Sequence, residues 1–288
     1  DWRLGDGFVS SNFSTGASGM TWLIAFGLGL LMGSFVNVVV HRLPRMVMAE
    51  PDAAHTNQRY DLCWPASHCP HCHTPLKWHH NIPLLSFVWL KGRCGFCQRA
   101  IHPLYPLLEV ITALTWVACA WHWGLSVTAL CWALFATTLL ALAVIDWQTT
   151  LLPDDLTQAL VWGGLIASAS GWLPLRLDQS VWGAVAGYGV LWCVATAFER
   201  ITGKQGMGAG DFKLLAGLGA WLGPLALIPL LMLASLSGAI FGLTLKFIDR
   251  LHPDGYIPFG PFLAAAGLLI AVVGMGPIAT WLGWSFFA

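Results

Sequence analysis

The chain has 288 residues, of which 57% are hydrophobic and only 10% charged, against roughly a quarter charged in ordinary soluble domains. Lys plus Arg equal Asp plus Glu at 14 each, a balance that argues against a nucleic-acid-binding protein. With a mean hydropathy of +0.67, a soluble fold of this size could not hide its apolar surface, so lipid must be part of its solvent.

A transmembrane helix needs about 20 apolar residues. Residues 1–19 form a polar tail containing Gly and Ser, without the basic start of a cleaved signal peptide. The first apolar run, 20–40, is therefore expected to stay in the mature protein as the first transmembrane helix. A polar segment, 41–103, follows it. Further apolar runs cover 104–121, 125–145, 156–172, 181–198, 212–222, 225–245 and 261–284. The expected fold class is thus an all-α polytopic membrane protein with about eight transmembrane helices. The sixth run is short and ends at Gly223-Pro224, which predicts a tilted or partly re-entrant helix. Many of the 17 Trp lie near run ends, as in an interfacial aromatic belt.

Basic residues set the orientation. Arg42, Arg45, Arg59, Lys77, Lys91, Arg93 and Arg99 follow the first run, Arg200 and Lys204 the fifth, and Lys246 and Arg250 the seventh. With eight spans these loops share one side, which the positive-inside rule makes cytoplasmic. The opposite side carries little beyond Arg3 and Arg176. Both termini are then expected outside.

Segment 41–103 holds two C-x-x-C pairs, Cys69-Pro70-His71-Cys72 and Cys94-Gly95-Phe96-Cys97, with residues 73–93 between them. Two such turns can close a tetrahedral thiolate site, and a metal would supply folding energy that a short polar loop lacks. Cys69, Cys72, Cys94 and Cys97 are the expected ligands of a structural zinc ion, in a small cytoplasmic insertion. Disulfides or free thiols are the plainer alternative, weakened by the expected cytoplasmic location. Pro70 and Gly95 suit tight ligand-bearing turns. His68, His71, His73 and Cys63 are secondary ligand candidates, while Cys119, Cys131 and Cys193 lie in spans and read as packing residues. Four thiolates leave no open position and H-E-x-x-H is absent, so catalytic zinc is not indicated. The domain reading is a tail (1–19), a first helix (20–40), a four-cysteine zinc-binding domain (41–103) and a transmembrane domain (104–288).

Carboxylates in or beside spans are costly and tend to mark function. The candidates are Glu109, Asp146, Asp154, Asp155, Glu199 and Asp211. Asp146 closes the third run and Asp211 opens the sixth, within Gly208-Ala209-Gly210-Asp211, so both are expected at the cytoplasmic boundary. Two such carboxyls in reach of one another share a proton, one acting as base on a water and the other polarising a carbonyl. Gly206, Gly208 and Gly210 allow close backbone approach or positive φ. The competing reading of Asp211 is an N-cap after a flexible loop. Asp154, after Leu152-Pro153, reads as a helix cap, Asp155 and Glu199 as solvated helix ends, and Glu109 has no such explanation.

Four ordered features carry a resemblance. They are Gly33-Ser34-Phe35-Val36-Asn37-Val38-Val39 running into His41-Arg42-Leu43-Pro44, the paired C-x-x-C loop, Ile145-Asp146 followed by Leu152-Pro153-Asp154, and Gly208-Ala209-Gly210-Asp211 with Lys213. A later Pro258-Phe259-Gly260-Pro261-Phe262 fits as well. The chain resembles the type IV prepilin peptidases, within the G-x-G-D class of intramembrane aspartyl proteases. The resemblance implies cleavage, after a Gly, of the basic leader of type IV prepilins or type II secretion pseudopilins at the cytoplasmic face of the bacterial inner membrane. For members with the cysteine loop it also implies N-methylation of the new N-terminus by S-adenosylmethionine. It implies Asp146 and Asp211 as the catalytic pair and leaves Asp154 outside it. No residues of a methyl-donor site are legible, since no Rossmann-type glycine-rich turn is present.

Gly29 and Gly33 could admit a substrate helix, although packing of the enzyme's own helices is the favoured reading. Rival functions are a protease cutting within the spans of other substrates, a transporter or channel with buried carboxylates, and an inactive zinc-stapled structural protein. Serine chemistry is unsupported, because Gly16-Ala17-Ser18-Gly19 is not G-x-S-x-G.

Overall fold

The structure is a computed structural model that describes residues 19–48, 60–204, 206–248 and 257–281. The described residues are mostly helical, and their only β pairings are two isolated bridges in the cysteine loop. The tail 1–18 and residues Arg59 and Arg250 lie outside the described residues. The chain divides into two compact units, one up to Thr137 and the other from Thr138 onward.

The N-terminal unit is built on helix α1 (Gly19–Met48) packed against α3 (Leu104–Trp123). A Cβ added at Gly29 would lie 2.6 Å from Ala113 Cα, and one at Gly33 would lie 2.6 Å from Glu109 Cα. These glycines therefore serve the protein's own helix packing, in the small-residue manner of membrane helices. Helix α1 does not stop at residue 40 but continues through the basic segment to Met48, with Pro44 inside it. The extension is anchored by buried Arg42, whose guanidinium donates to the carbonyls of Asp61 (3.0 Å), Leu62 (3.4 Å) and Pro65 (2.7 Å). A short helix α2 (Leu85–Trp89) lies in the loop between α1 and α3. Helix α4 (Val127–Thr149) starts in this unit, where Ala129 and Ala133 pack with Trp116 and Cys119. The buried Trp116 Nε1–H donates to Thr137 Oγ1 at 3.0 Å.

The C-terminal unit holds the rest of α4, then α5 (Asp154–Ala169), α6 (Leu177–Thr202), α7 (Ala209–Leu222), α8 (Leu227–Phe247), α9 (Gly260–Val273) and α10 (Met275–Trp281). Helix α7 is its centre: from Asp211 to Trp221 every residue except Lys213 is buried. Neighbouring helices meet it through glycines. Gly183 and Gly187, one turn apart on α6, lie against the backbone of Gly219 and Leu215, so that a Cβ at Gly187 would be 2.5 Å from Leu215 O. Gly164 of α5 abuts Ala220, and Gly267 of α9 abuts Leu218. Buried polar groups add direction: Ser180 Oγ donates to Ala220 O (2.6 Å), and Trp221 Nε1 donates to Leu160 O (2.8 Å).

Helices stand at all eight apolar runs. Five are long and apolar enough to cross a membrane: α1, α3, α4, α6, and α8 with its 3-10 lead-in from Pro224. Helices α5, α7 and α9 have 16, 14 and 14 residues, about 24 and 21 Å at 1.5 Å per residue, against a hydrocarbon core of about 30 Å. The last run is not one helix. It breaks at Gly274, whose φ of 78° is left-handed and costs glycine little, and α10 starts at Met275.

The α6–α7 contact makes a matched prediction. Gly183→Ala should lower the thermal unfolding midpoint in detergent, by overpacking worth about 1–3 kcal/mol. Gly189→Ala on the same helix, where an added Cβ meets nothing within 4 Å, should leave it unchanged or raise it. Equal midpoints for the two variants would refute the close packing.

Candidate active site and metal centre

Asp146 lies in the last turn of α4, three residues before its end at Thr149, and Asp211 is the third residue of α7. Each is 4% exposed. The two carboxylates belong to the same unit and lie within Coulombic range of one another. Asp146 Oδ2 accepts the backbone N–H of Gly260, the first residue of α9, at 2.9 Å. A side chain at Gly260 is excluded by that approach, since its Cβ would lie 2.6 Å from Oδ2. Among the described residues neither carboxylate forms an ion pair with Lys, Arg or His. Such a site offers two buried carboxyl groups and, among the described residues, no compensating ion pair, which suits shared-proton chemistry.

The start of α7 differs from two expectations. Its N-cap is Gly208, and Asp211 sits inside the helix, its own N–H donating to Gly208 O at 3.2 Å. Asp211 is thus not a capping residue. Gly208 has φ −80°, and Gly210 is helical, so positive φ is not the reason for these glycines. Close approach is the reason at Gly210, where a Cβ would lie 2.7 Å from Leu152 Cβ, and at Gly206, which abuts the Phe198 ring. Around Gly208 there is open space.

The remaining carboxylates separate from the pair. Asp154 is not a cap: the N-cap of α5 is Pro153, and the Asp154 side chain meets Lys213 Nζ at 2.6 and 2.7 Å. That ion pair joins the first turn of α5 to the second turn of α7 and engages the lysine nearest Asp211 in sequence. Asp155 and Glu199 are exposed. Glu109 belongs to the other unit, where its Oε2 accepts the Leu84 N–H at 2.8 Å. The role of Gly260 was missed from sequence, although the Pro258–Phe262 motif that contains it stood out.

In the cysteine loop, the Sγ atoms of Cys69, Cys72, Cys94 and Cys97 all lie within 4.8 Å of one another, with Cys69 and Cys97 at 3.9 Å. A tetrahedral site with Zn–S bonds of about 2.3 Å needs S···S separations of about 3.8 Å, so the donor set fits a metal ion of that kind. The two halves repeat one backbone pattern. Cys69 N–H donates to Thr74 O and Cys94 N–H to Arg99 O, while His73 N–H returns to Cys69 O and Gln98 N–H to Cys94 O. The flanking bridges His68↔Pro75 and Arg93↔Ala100 complete two equivalent knuckles. The left-handed residues are His73 (φ 54°) and Gln98 (φ 57°), each just after the second Cys, rather than Gly95.

The thiols share protons unequally. Hydrogen bonds from Thr74, its hydroxyl foremost, lower Cys72 to about 6. The Arg99 N–H favours the Cys97 thiolate too, but burial and the neighbouring sulfurs push Cys97 up to about 11. A bound dication would displace these protons. The secondary candidates His68, His71, His73 and Cys63 do not join the four-sulfur group. Instead His71 Nδ1 meets Arg99 Nη1 at 3.1 Å.

The comparisons with known proteins bear on both features. A model of the Bacterial Peptidase A24 N-terminal domain matches residues 28–123, and one of the Type IV leader peptidase family matches residues 133–243. A "Prepilin leader peptidase/N-methyltransferase" of Aeromonas salmonicida (strain A449) is 47% identical over 279 residues, covering 90% of this chain and 94% of the relative. Proteins of the same name from Dickeya chrysanthemi and Burkholderia pseudomallei (strain K96243) are 44% and 42% identical, covering 92% and 88% of this chain and 95% and 86% of those relatives. No solved structure matches the chain. With this identity and coverage, the chain belongs to the type IV leader peptidase family.

Proposed function

We propose that this chain is a bifunctional bacterial membrane enzyme. It removes the leader peptide from type IV prepilins or type II secretion pseudopilins as an aspartyl endopeptidase. It then N-methylates the exposed N-terminus, with S-adenosylmethionine as methyl donor. The supporting observations are the family membership and the close relatives' names. The single structural observation that carries the peptidase half is the buried, mutually interacting pair Asp146 and Asp211. The transporter and inactive structural readings gain no observation of their own.

In the proposed cleavage, the ionised carboxyl of the pair takes a proton from a water as its oxygen adds to the scissile carbonyl. The protonated carboxyl hydrogen-bonds the carbonyl oxygen as charge develops there. Collapse of the tetrahedral intermediate breaks the C–N bond, and the leaving nitrogen receives a proton from the pair. Which Asp starts ionised belongs to the pair rather than to either residue. The Gly260 N–H fixes the orientation of Asp146. S-adenosylmethionine, when bound, would supply the methyl group that the new N-terminal amine receives.

Cys69, Cys72, Cys94 and Cys97 are proposed to hold a structural zinc ion, in keeping with their closed four-sulfur set. The shorter helices α5, α7 and α9 are proposed to complete eight spans, with the loop of basic residues and Cys pairs cytoplasmic and both termini periplasmic. The proposed domain limits are those of the sequence reading: 1–19, 20–40, 41–103 and 104–288. A prepilin, with its basic leader followed by an apolar helix, would then present its cleavage point at the depth of the two Asp.

Asp146→Asn and Asp211→Asn should each lower leader cleavage by about 10²–10⁴-fold or more, in protein that still inserts. Full cleavage by either variant would remove that residue from the site. Asp154→Asn breaks an ion pair whose Asp side chain is 64% exposed, and should cost less than about tenfold, as surface pairs contribute about 0–1 kcal/mol. Loss equal to that of Asp146→Asn would instead make Asp154 catalytic. The double variant Cys72→Ser/Cys97→Ser should lose metal measured by elemental mass spectrometry, and parental zinc content would contradict the thiolate site.

A further inference from the structure

The methyl donor has no obvious seat. Among the described residues there is no strand leading into a glycine-rich turn, the usual nucleoside-binding device. A cavity between helices and loops offers another seat. One lies wholly within the N-terminal unit, bounded by the second half of α1, the thiolate loop and the start of α3. Its volume is about 630 Å³, inside the range of roughly 300–1,000 Å³ typical of small-molecule sites.

The lining is polar in a particular way. Glu109 is its one carboxylate, half-buried, and it accepts hydrogen bonds from the Leu84 N–H and the Ser34 hydroxyl. No Lys or Arg among the described residues pairs with it, so its charge is left to be met by something else. His80 also lines the cavity, and its buried Nδ1 has no hydrogen-bond partner, a costly omission unless a ligand supplies one. Tyr60, Phe87 and Tyr105 bring aromatic rings to the wall. Arg42 already donates to three backbone carbonyls, while Arg45 and Arg99 are exposed on the lining.

We propose that this cavity binds S-adenosylmethionine, with Glu109 as the negative group that meets its cationic end and the aromatic rings as its adenine wall. The inference rests on the methyltransferase reading above. A molecule carrying one sulfonium, one ammonium and one carboxylate matches a lone Glu beside exposed Arg. A polybasic leader peptide would need several carboxylates, and the wall offers one. The Cys69 and Cys94 side of the lining makes the thiolate loop one wall of the site.

The test is equilibrium binding of radiolabelled S-adenosylmethionine to the full chain in detergent. Glu109→Gln keeps an acceptor for the Leu84 N–H while removing the charge. Ser86→Trp adds an indole to the lining and leaves the Glu109 residue itself unchanged. Unfolding midpoints matching the parent qualify each variant as folded. Both variants should weaken the donor's Kd by about tenfold or more. Parental Kd in both folded variants overturns the site. Parental donor affinity in Ser86→Trp with loss of prepilin binding assigns the cavity to the leader peptide, and overturns it as well. A parent chain that binds no donor overturns the methyltransferase reading itself, so the two failures are distinguishable.

Discussion

Helix α7 is short, almost wholly buried, and reached from its neighbours through glycines. That packing is the constraint on which the candidate active site depends. In a bilayer, helices gain little from hiding apolar surface from lipid, so close van der Waals contact and buried hydrogen bonds must hold them. Gly183 and Gly187 let α6 lie on the α7 backbone, while Ser180 and Trp221 tie the far end of α7 to its neighbours. A helix held in this way cannot slide or rotate without collision. Asp211, two residues from its N-terminus, inherits that fixity.

Asp146 is fixed by different means. It sits near the end of α4 and is bound by the first N–H of α9, a free donor because helix N-termini leave their amides unpaired. The bond gives a buried carboxylate a partner without giving it a cation. An ion pair with Lys or Arg would hold the charge and spoil shared-proton chemistry. Lys213, close to Asp211 in sequence, is kept on Asp154 instead. The proposed catalytic residues Asp146 and Asp211 belong to the C-terminal unit, while the thiolate cluster and the cavity belong to the N-terminal one. The two proposed reactions thus have separate scaffolds in one chain, with the boundary falling inside α4.

Much of this was legible in the sequence, for identifiable reasons. Apolar runs are long and bounded by charges, so a helix stands at each of the eight expected places. The C-x-x-C spacing made four sulfurs meet, because each pair forms its own turn by local hydrogen bonds. Six carboxylates stood out because charges beside apolar runs are costly, and the order of the motifs singled out Asp146 and Asp211 among them. What sequence could not carry was contact between distant elements. Periodicity does not say that the Gly260 N–H would donate to Asp146, or that Asp154 would face Lys213 rather than cap α5. Nor does it separate a glycine that turns from one that packs, and Gly210 proved to be the second kind. Hydropathy also ran straight through Gly274, where the backbone breaks the last helix, and stopped at residue 40, where buried Arg42 lets α1 continue.

Two chemistries performed by one chain on one substrate form the central claim. The most direct measurement of it is mass spectrometry of a purified prepilin incubated with the purified chain in detergent, with and without S-adenosylmethionine. The expected result is loss of the leader in both reactions, and one added methyl group on the new N-terminus only where the donor is present. An intact prepilin in both reactions, or leader loss that requires the donor, would contradict it.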